Sequence, residues 1–287
     1  MQPGDVRKVG VVGCGLMGSG IVEVVARTGA EVTFVEATDD LAARGRAMIE
    51  ASLAKAVDRG KVEAAERDAV LARIFGATDL AALADADLVI EAATEDPDAK
   101  FEVFLGLGEL LRPDAVLASN TSSIPIVDLA AASGRPDKVV GMHFFNPPPV
   151  MKLLELIPAI TTSEETFAFA KAFGERLGKT CVRSADRAGF IVNRLLIPYL
   201  NAAARLLEEG VATREDIDTA ITLGLGHPMG PLTLMDLVGI DTTVFVAEVL
   251  HREYADPYLA PAPLLRRMVS AGRLGRKTGR GFYDYER

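Results

Sequence analysis

The segment Gly13-Cys14-Gly15-Leu16-Met17-Gly18 restricts the start of this chain to very few folds. It follows the apolar run Val9-Gly10-Val11-Val12 and precedes a helical pattern carried by Ile21, Val24 and Val25. Glycines at this spacing between a strand and a helix have separate tasks. Gly13 allows a tight turn out of the strand. Gly15 leaves room for a pyrophosphate beside the backbone, and Gly18 lets the helix pack close to the sheet. The first N–H groups of the helix, from Leu16 and Met17 onward, lack intrahelical acceptors and form a ready anion site. A second run, Glu31-Val32-Thr33-Phe34-Val35, ends at Glu36. That carboxylate stands about 20 residues beyond the glycines, where an adenosine ribose is gripped. A glycine-rich turn without a ligand is the plain alternative. The order strand, glycines, helix, acid favours a bound dinucleotide, and the charge of Glu36 favours NAD over a form carrying a 2′-phosphate.

The rest of the first half alternates. Helical stretches are expected over 39–59 and 62–73, and strands over 87–91, 116–119 and 138–144. Pro97 suits the first turn of the helix between two of these strands. Alternation of this kind builds a parallel sheet covered on both faces. Residues 152–157 follow too short a connection for a crossover and read as antiparallel. Thr162 and Glu165 form a capping-box pattern before a helix with Phe169, Phe173 and Leu177 on one side. Thr180-Cys181-Val182 reads as a last edge strand. From Gly189 the strand signals stop. One long amphipathic helix is expected over 190–209, another after a Thr213/Asp216 cap, and further ones over 232–238, 242–254 and 264–271. The expected architecture is α/β: a Rossmann-type doubly wound sheet over residues 1–185, followed by a smaller all-α domain over 186–287.

Composition narrows the partners. Of 287 residues, 49% are hydrophobic and 25% charged, which suits a soluble globular chain. The net charge of −9 disfavours nucleic acid. An anionic substrate then needs a local basic patch, and Lys55, Arg59 and Lys61 supply one. No apolar run approaches the ~18 residues of a membrane span. Two cysteines, Cys14 and Cys181, argue against a disulfide framework or a zinc site and for a reducing cytoplasm. A strand that begins by Lys8 is expected to leave no room for a leader peptide.

Three histidines are present, and His143 is the informative one. It falls at the carboxyl end of an expected strand, the end where open α/β sheets bind ligands. An imidazole can take a proton from a substrate hydroxyl and return it. Such a base needs an orienting partner. Glu155 lies in the next strand beyond the turn Pro147-Pro148-Pro149, and a hairpin there would carry it back to His143. A core histidine bonded to backbone is the alternative reading. His227 reads as loop structure and His251 as a solvated helix residue.

At this point the sequence resembles the L-3-hydroxyacyl-CoA dehydrogenases, and among them the short bacterial 3-hydroxybutyryl-CoA dehydrogenases. The resemblance covers nearly the whole chain. It rests on Gly13-x-Gly15-x-x-Gly18, Glu91-Ala92-Ala93-Thr94-Glu95, Ser119-Asn120-Thr121-Ser122-Ser123 and His143-Phe144-Phe145-Asn146-Pro147. It continues through Gly189-Phe190-Ile191-Val192-Asn193-Arg194, Pro228-Met229-Gly230-Pro231 and Gly275-Arg276-Lys277-Thr278-Gly279-Arg280-Gly281-Phe282-Tyr283. The resemblance implies reversible, NAD-dependent oxidation of an (S)-3-hydroxyacyl-CoA. His143 would be the base, Glu155 its carboxylate partner, and Ser122 and Asn193 the contacts at the reacting end. Asn146 would support the site beside the histidine. Gly13, Gly15, Leu16, Met17, Gly18, Glu36, Glu95, Lys100, Asn120, Ser122, His143 and Asn146 would face NAD. Ser52, Arg59 and Lys61 align with a stretch that touches coenzyme A. No metal is implied, and relatives dimerise through the helical domain, where Leu195, Leu196, Leu206, Leu207, Leu232, Leu234, Leu237 and Val238 look too apolar for one small domain to cover.

Each of these has a structural alternative. Asn120 reads as a cap for the helix starting near Ile124, whereas for Ser122, which could also cap it, the catalytic reading is preferred. Asn146 before a proline could be turn chemistry, and Arg59 and Lys61 a solvated helix end. The tail from Gly272 to Tyr285 reads as a glycine turn that docks Phe282, Tyr283 and Tyr285. Two rival functions remain. A β-hydroxyacid dehydrogenase acting on a free acid would resemble its kin in placing a lysine on the interdomain helix, and Phe190 to Arg194 offers none. A non-catalytic relative, as among lens crystallins, would not need His143, Glu155, Ser122 and Asn193 together.

Overall fold

The structure is a computed structural model, and it describes residues 6–285. Contacts within it divide the chain into two units, one through Arg187 and one from Ala188 onward.

The first unit is built on eight strands: β1 (Lys8–Val12), β2 (Glu31–Val35), β3 (Ile74–Ala77), β4 (Leu88–Glu91), β5 (Val116–Ser119), β6 (Val139–Phe144), β7 (Leu153–Pro158) and β8 (Thr180–Arg183). They form one sheet in the order β3-β2-β1-β4-β5-β6-β7-β8. Strands β1 to β6 are mutually parallel, as their separation by helices requires. From β1 the chain moves outward to β2 and β3, then returns to β4 on the other side. This reversal opens a crevice at the carboxyl ends of β1 and β4, the place where such sheets bind dinucleotides. The expected Rossmann-type sheet is therefore present. So is its antiparallel extension, since β7 runs against β6 across a short turn and β8 then pairs with β7 at the edge.

The helices of this unit are α1 (Leu16–Arg27), α2 (Asp39–Asp58), α3 (Ala64–Leu71), α4 (Pro97–Leu110), α5 (Ile126–Ala132) and α6 (Glu164–Arg176). Their apolar sides join the strands in a core that includes Ile21, Val25, Phe34, Ile49, Leu53, Phe169 and Phe173. Two expectations need correction. Strand β3 was not foreseen, because only its first residue is buried and the run carries no clear period. The cap of α6 is Ser163, whose hydroxyl accepts from Thr166 N–H at 3.2 Å. Thr162 instead donates to the Val139 carbonyl and ties the helix entry to β6.

The second unit is helical: α7 (Val192–Glu208), α8 (Arg214–Leu225), α9 (Pro231–Val238), α10 (Ile240–Tyr254) and α11 (Pro263–Ser270). Leu200, Leu232, Met235, Ile240 and Leu265 form its centre. Thr213 caps α8 by accepting from Asp216 N–H. The tail folds back as expected: the carboxylate of Asp236, fully buried, accepts from the N–H groups of Phe282 and Tyr283 and from the Tyr285 hydroxyl. The long helix does not begin at Phe190. Phe190 has φ +46° and follows Gly189 at φ +80°, so the chain passes through the left-handed region before α7 starts. Among the described residues, no helix is long and apolar enough to cross a membrane.

Candidate active site

The glycine turn fits a dinucleotide. At Gly13 φ is +87°, and an added Cβ would lie 2.7 Å from the Ala93 Cα. At Gly18 a Cβ would lie 1.9 Å from the Gly13 carbonyl oxygen, so only glycine lets α1 start this close to the turn. At Gly15 a Cβ would meet nothing within 4 Å. The backbone there faces open space, which is where a pyrophosphate needs to approach. Gly15 is the N-cap of α1 and supplies no side-chain acceptor. The intrahelical ladder opens with Ser19 N–H on the Gly15 carbonyl, which leaves the earlier N–H groups, those of Leu16 and Met17 included, to an anion.

Glu36 closes this turn from the side. Its Oε1 accepts from the Cys14 N–H at 2.5 Å. Cys14 itself is buried, and α2 presses on it through Gly45, where a Cβ would come within 2.8 Å of the sulfur. Burial, with a smaller push from Glu36, raises the Cys14 thiol to about 12, so it is a packing group rather than a nucleophile.

The register of β6 against β7 sets His143 directly opposite Glu155. Opposed residues of antiparallel strands project from the same face, so the side chains meet. His143 Nδ1 lies 2.7 Å from Glu155 Oε2. Glu155 is fully buried and His143 nearly so. If Nδ1 donates to this carboxylate, a neutral ring carries its lone pair on Nε2, the arrangement a general base needs. The ring is steadied by Phe145, with centroids 4.7 Å apart. Asn120 lies on the neighbouring strand end, and its Oδ1 accepts from Phe144 N–H at 2.8 Å. It therefore pins β5 to β6 beside the histidine. It does not cap α5: that helix receives its cap from Asp186, whose two oxygens accept from Ile126 and Val127 N–H. Asn146 is exposed and precedes Pro147 through a cis bond.

Ser122 is half-buried in the turn after β5, and Glu95 lies against it. Glu95 accepts from the N–H groups of Ser122 and Ser123 at 2.9 and 3.2 Å. Burial raises the Glu95 carboxyl, but Lys100 and the donors from Thr121, Ser122 and Ser123 outweigh it and hold it below the usual carboxylate range. Lys100 is 1% exposed and lies between Glu91 and Glu95. It touches carboxylates there, not an open cofactor surface. Ser52, Lys55, Arg59 and Lys61 are all exposed on or just beyond α2, and none of the three cations is ion-paired among the described residues. Asn193 stands in the first turn of α7 in the second unit, half-buried. His227 lies in a loop, as expected, against the ring of Tyr199 on α7. His251 is half-buried, not solvated, with Nδ1 2.9 Å from the Asp256 carbonyl.

One supporting residue escaped sequence reading. Lys179 is 9% exposed and its ammonium donates to the carbonyls of Pro148 at 2.5 Å and Met151 at 2.7 Å, which fixes the turn between His143 and Glu155. Nothing near it in sequence marks a buried lysine; only the fold brings that turn to it. Gly20 supports the same turn, since a Cβ there would strike Pro148 at 2.7 Å.

Residues 8–187 match the family described as "3-hydroxyacyl-CoA dehydrogenase, NAD binding domain". Residues 189–285 match "3-hydroxyacyl-CoA dehydrogenase, C-terminal domain". A 3-hydroxybutyryl-CoA dehydrogenase of Mycobacterium tuberculosis is 52% identical over 282 residues, 98% of this chain and 99% of that protein. The crystal structure of FadB2 from M. tuberculosis superposes with a TM-score of 0.97 at 52% identity, covering 98% of this chain and 99% of that one. The (S)-3-hydroxybutyryl-CoA dehydrogenase of Ralstonia eutropha superposes at 0.93 with 45% identity, over 99% of this chain and all of the other.

Proposed function

The chain belongs to the 3-hydroxyacyl-CoA dehydrogenase family and is an NAD-dependent enzyme of that class, and from that premise we propose that it interconverts (S)-3-hydroxybutyryl-CoA and acetoacetyl-CoA with His143 and Glu155 as the proton-transferring pair. The observation that carries this reading is the 2.7 Å contact between His143 Nδ1 and a fully buried Glu155, at the carboxyl end of β6. The names of the M. tuberculosis and R. eutropha relatives support the four-carbon substrate and the (S) isomer.

Bound NAD would supply the hydride acceptor for C3 of the hydroxyacyl group, and NADH the donor for the reverse reaction. The Gly13–Gly18 turn and the N–H groups of Leu16 and Met17 would hold the pyrophosphate, and Glu36 would hold the ribose. Glu95, Asn120 and Asn146 would line the nicotinamide end of the cofactor. In the oxidation, His143 Nε2 takes the proton of the 3-hydroxyl, and Glu155 stabilises the imidazolium that forms. In the reduction, the imidazolium gives that proton to the 3-keto oxygen. Ser122 would hold a reacting oxygen, so that C3 is aligned before hydride moves. Lys55, Arg59 and Lys61, with Ser52, take the nucleotide end of coenzyme A. The two cysteines, both free thiols, support a reducing, cytoplasmic setting.

The test is NADH oxidation with acetoacetyl-CoA, a truncated pantetheine thioester and free acetoacetate. Acetoacetyl-CoA should be far the best of the three. Arg59→Ala should raise its KM about tenfold, the worth of one charge-assisted bond, and leave the truncated thioester unchanged. Free acetoacetate as the better substrate would overturn the reading in favour of a free-acid dehydrogenase.

The helical unit also supports a homodimer. Leu195 is 71% exposed and Leu223 79%, and Leu206, Leu225, Leu237 and Val238 are exposed as well, although Leu232 is buried. A soluble monomer seldom leaves so much apolar surface on one helical unit. Light scattering at micromolar concentration should give twice the chain mass; a monomer there would refute the dimer.

A further inference from the structure

One oxygen of Glu95 gathers the turn that carries Ser122. Its Oε1 accepts from the Thr121 hydroxyl at 2.5 Å, from Ser122 and Ser123 N–H, from the Ser123 hydroxyl at 2.8 Å and, more distantly, from the Ser122 hydroxyl at 3.5 Å. A carboxylate that serves so many donors has to be held still itself. Lys100 does this from behind: its ammonium lies 3.4 Å from Glu95 Oε2 and 2.5 Å from Glu91 Oε1. Glu91 is at the end of β4 and fully buried. Its Oε1 also accepts from Ala93 N–H at 2.7 Å, and its Oε2 accepts from the Ser119 hydroxyl at 2.6 Å. Ser119 Oγ in turn accepts from Thr121 N–H at 3.1 Å. Two routes thus leave Glu91 and meet on the same turn. One passes through Lys100 and Glu95, the other through Ser119.

A lysine and a glutamate taken fully out of water are costly unless each holds the other in good geometry. An apolar pair of similar volume would fill the same space at the ends of β4 and β5. It would not hold a carboxylate at Glu95 in one orientation. We propose that the buried Glu91–Lys100 pair is a positioning device for the reaction: it fixes Glu95, and through Glu95 and Ser119 it fixes the Ser122 hydroxyl. This rests on the reading that Ser122 contacts the reacting end of the substrate. Glu91 is fully buried and Lys100 is 1% exposed, so the route by which they act on turnover is the Thr121–Ser123 turn.

A double-mutant cycle on the full chain tests it, with kcat and KM for acetoacetyl-CoA and NADH affinity by fluorescence titration. Ser122→Ala should lower kcat. Glu91→Gln should lower kcat about tenfold or more, the scale on which a small misplacement of a reacting group acts, with a smaller effect on NADH affinity. Added to Ser122→Ala, Glu91→Gln should cost nothing further, because the group it positions is gone. Ser119→Ala removes the second route with a minimal change of volume. It should behave the same way in its own cycle, which decides the matter if Glu91→Gln does not fold. Additive losses with a slow Ser122→Ala would overturn the positioning role alone. A normal kcat for Ser122→Ala would defeat the Ser122 role and the inference with it. A loss of NADH affinity with unchanged kcat in Glu91→Gln would mean that the pair serves cofactor binding instead.

Discussion

His143→Gln should fold, bind NADH normally and lose about 10²–10⁴-fold in kcat, the usual cost of removing a general base. Glutamine fills much of the same space and can still donate to Glu155. It has no nitrogen lone pair able to take a proton from a secondary alcohol. Glu155→Gln should also lower kcat with little effect on KM or cofactor affinity. There an amide can accept the Nδ1 proton, but it carries no charge to balance the imidazolium formed during oxidation. Because Glu155 is fully buried, no solvent or mobile ion replaces that charge. The double variant should be hardly worse than His143→Gln alone, since Glu155 acts through the imidazole. Steady-state kinetics with acetoacetyl-CoA, beside NADH titration, measures all of this. Near-normal kcat in both single variants would remove the pair from the mechanism.

The parts of this site that are legible in the sequence are those made by neighbours in the chain. The glycine turn is one, because strand, turn and helix are contiguous and each glycine answers a local steric demand. The meeting of β6 and β7 is another, because three prolines and a short connection leave room only for a hairpin. The exact pairing of His143 with Glu155 is less local, since it depends on the register that Lys179 and Gly20 help to fix from distant segments. Side chains whose role depends on burial are not legible at all. The resemblance assigns Lys100 to NAD, and nothing in the sequence marks it as buried between Glu91 and Glu95. Asn120 reads as a cap because asparagine before a helix usually is one, yet the Phe144 N–H lies closer to hand in the folded sheet. Phe190 reads as helix because its neighbours are apolar at helical spacing, and a left-handed aromatic residue has no sequence signature. Strand β3 was missed for a related reason: its pairing with β2 supplies an order that its own residues do not declare.

NADH should be preferred to NADPH by about 10²–10³-fold in kcat/KM. The difference between the cofactors is one phosphate on the ribose that Glu36 is proposed to grip. Glu36 follows β2 directly and is held in place by the Cys14 N–H, so it cannot swing away without loosening the glycine turn. Asp39 and Asp40 follow in the first turn of α2 and add to the negative field. The cation best placed to offset them is already engaged. Arg46 bonds Glu50 and the carbonyls of Leu71 and Ile74, where it ties α2 to the segment leading into β3. Arg44 is exposed a turn into the helix. A 2′-phosphate would therefore bring its charge against carboxylates with no cation committed to it. Like charges set together cost several kcal/mol, and each 1.4 kcal/mol is a factor of ten. Glu36→Gln should narrow the gap mainly by improving NADPH, because the amide keeps a hydrogen bond to the turn and drops the repulsion. Comparable kcat/KM for the two cofactors in the unaltered enzyme would mean that Arg46 leaves its carbonyls to meet the phosphate. In that case Arg46→Ala would restore the preference for NADH, whereas on the present argument it should only loosen the packing of α2 against the segment that leads into β3.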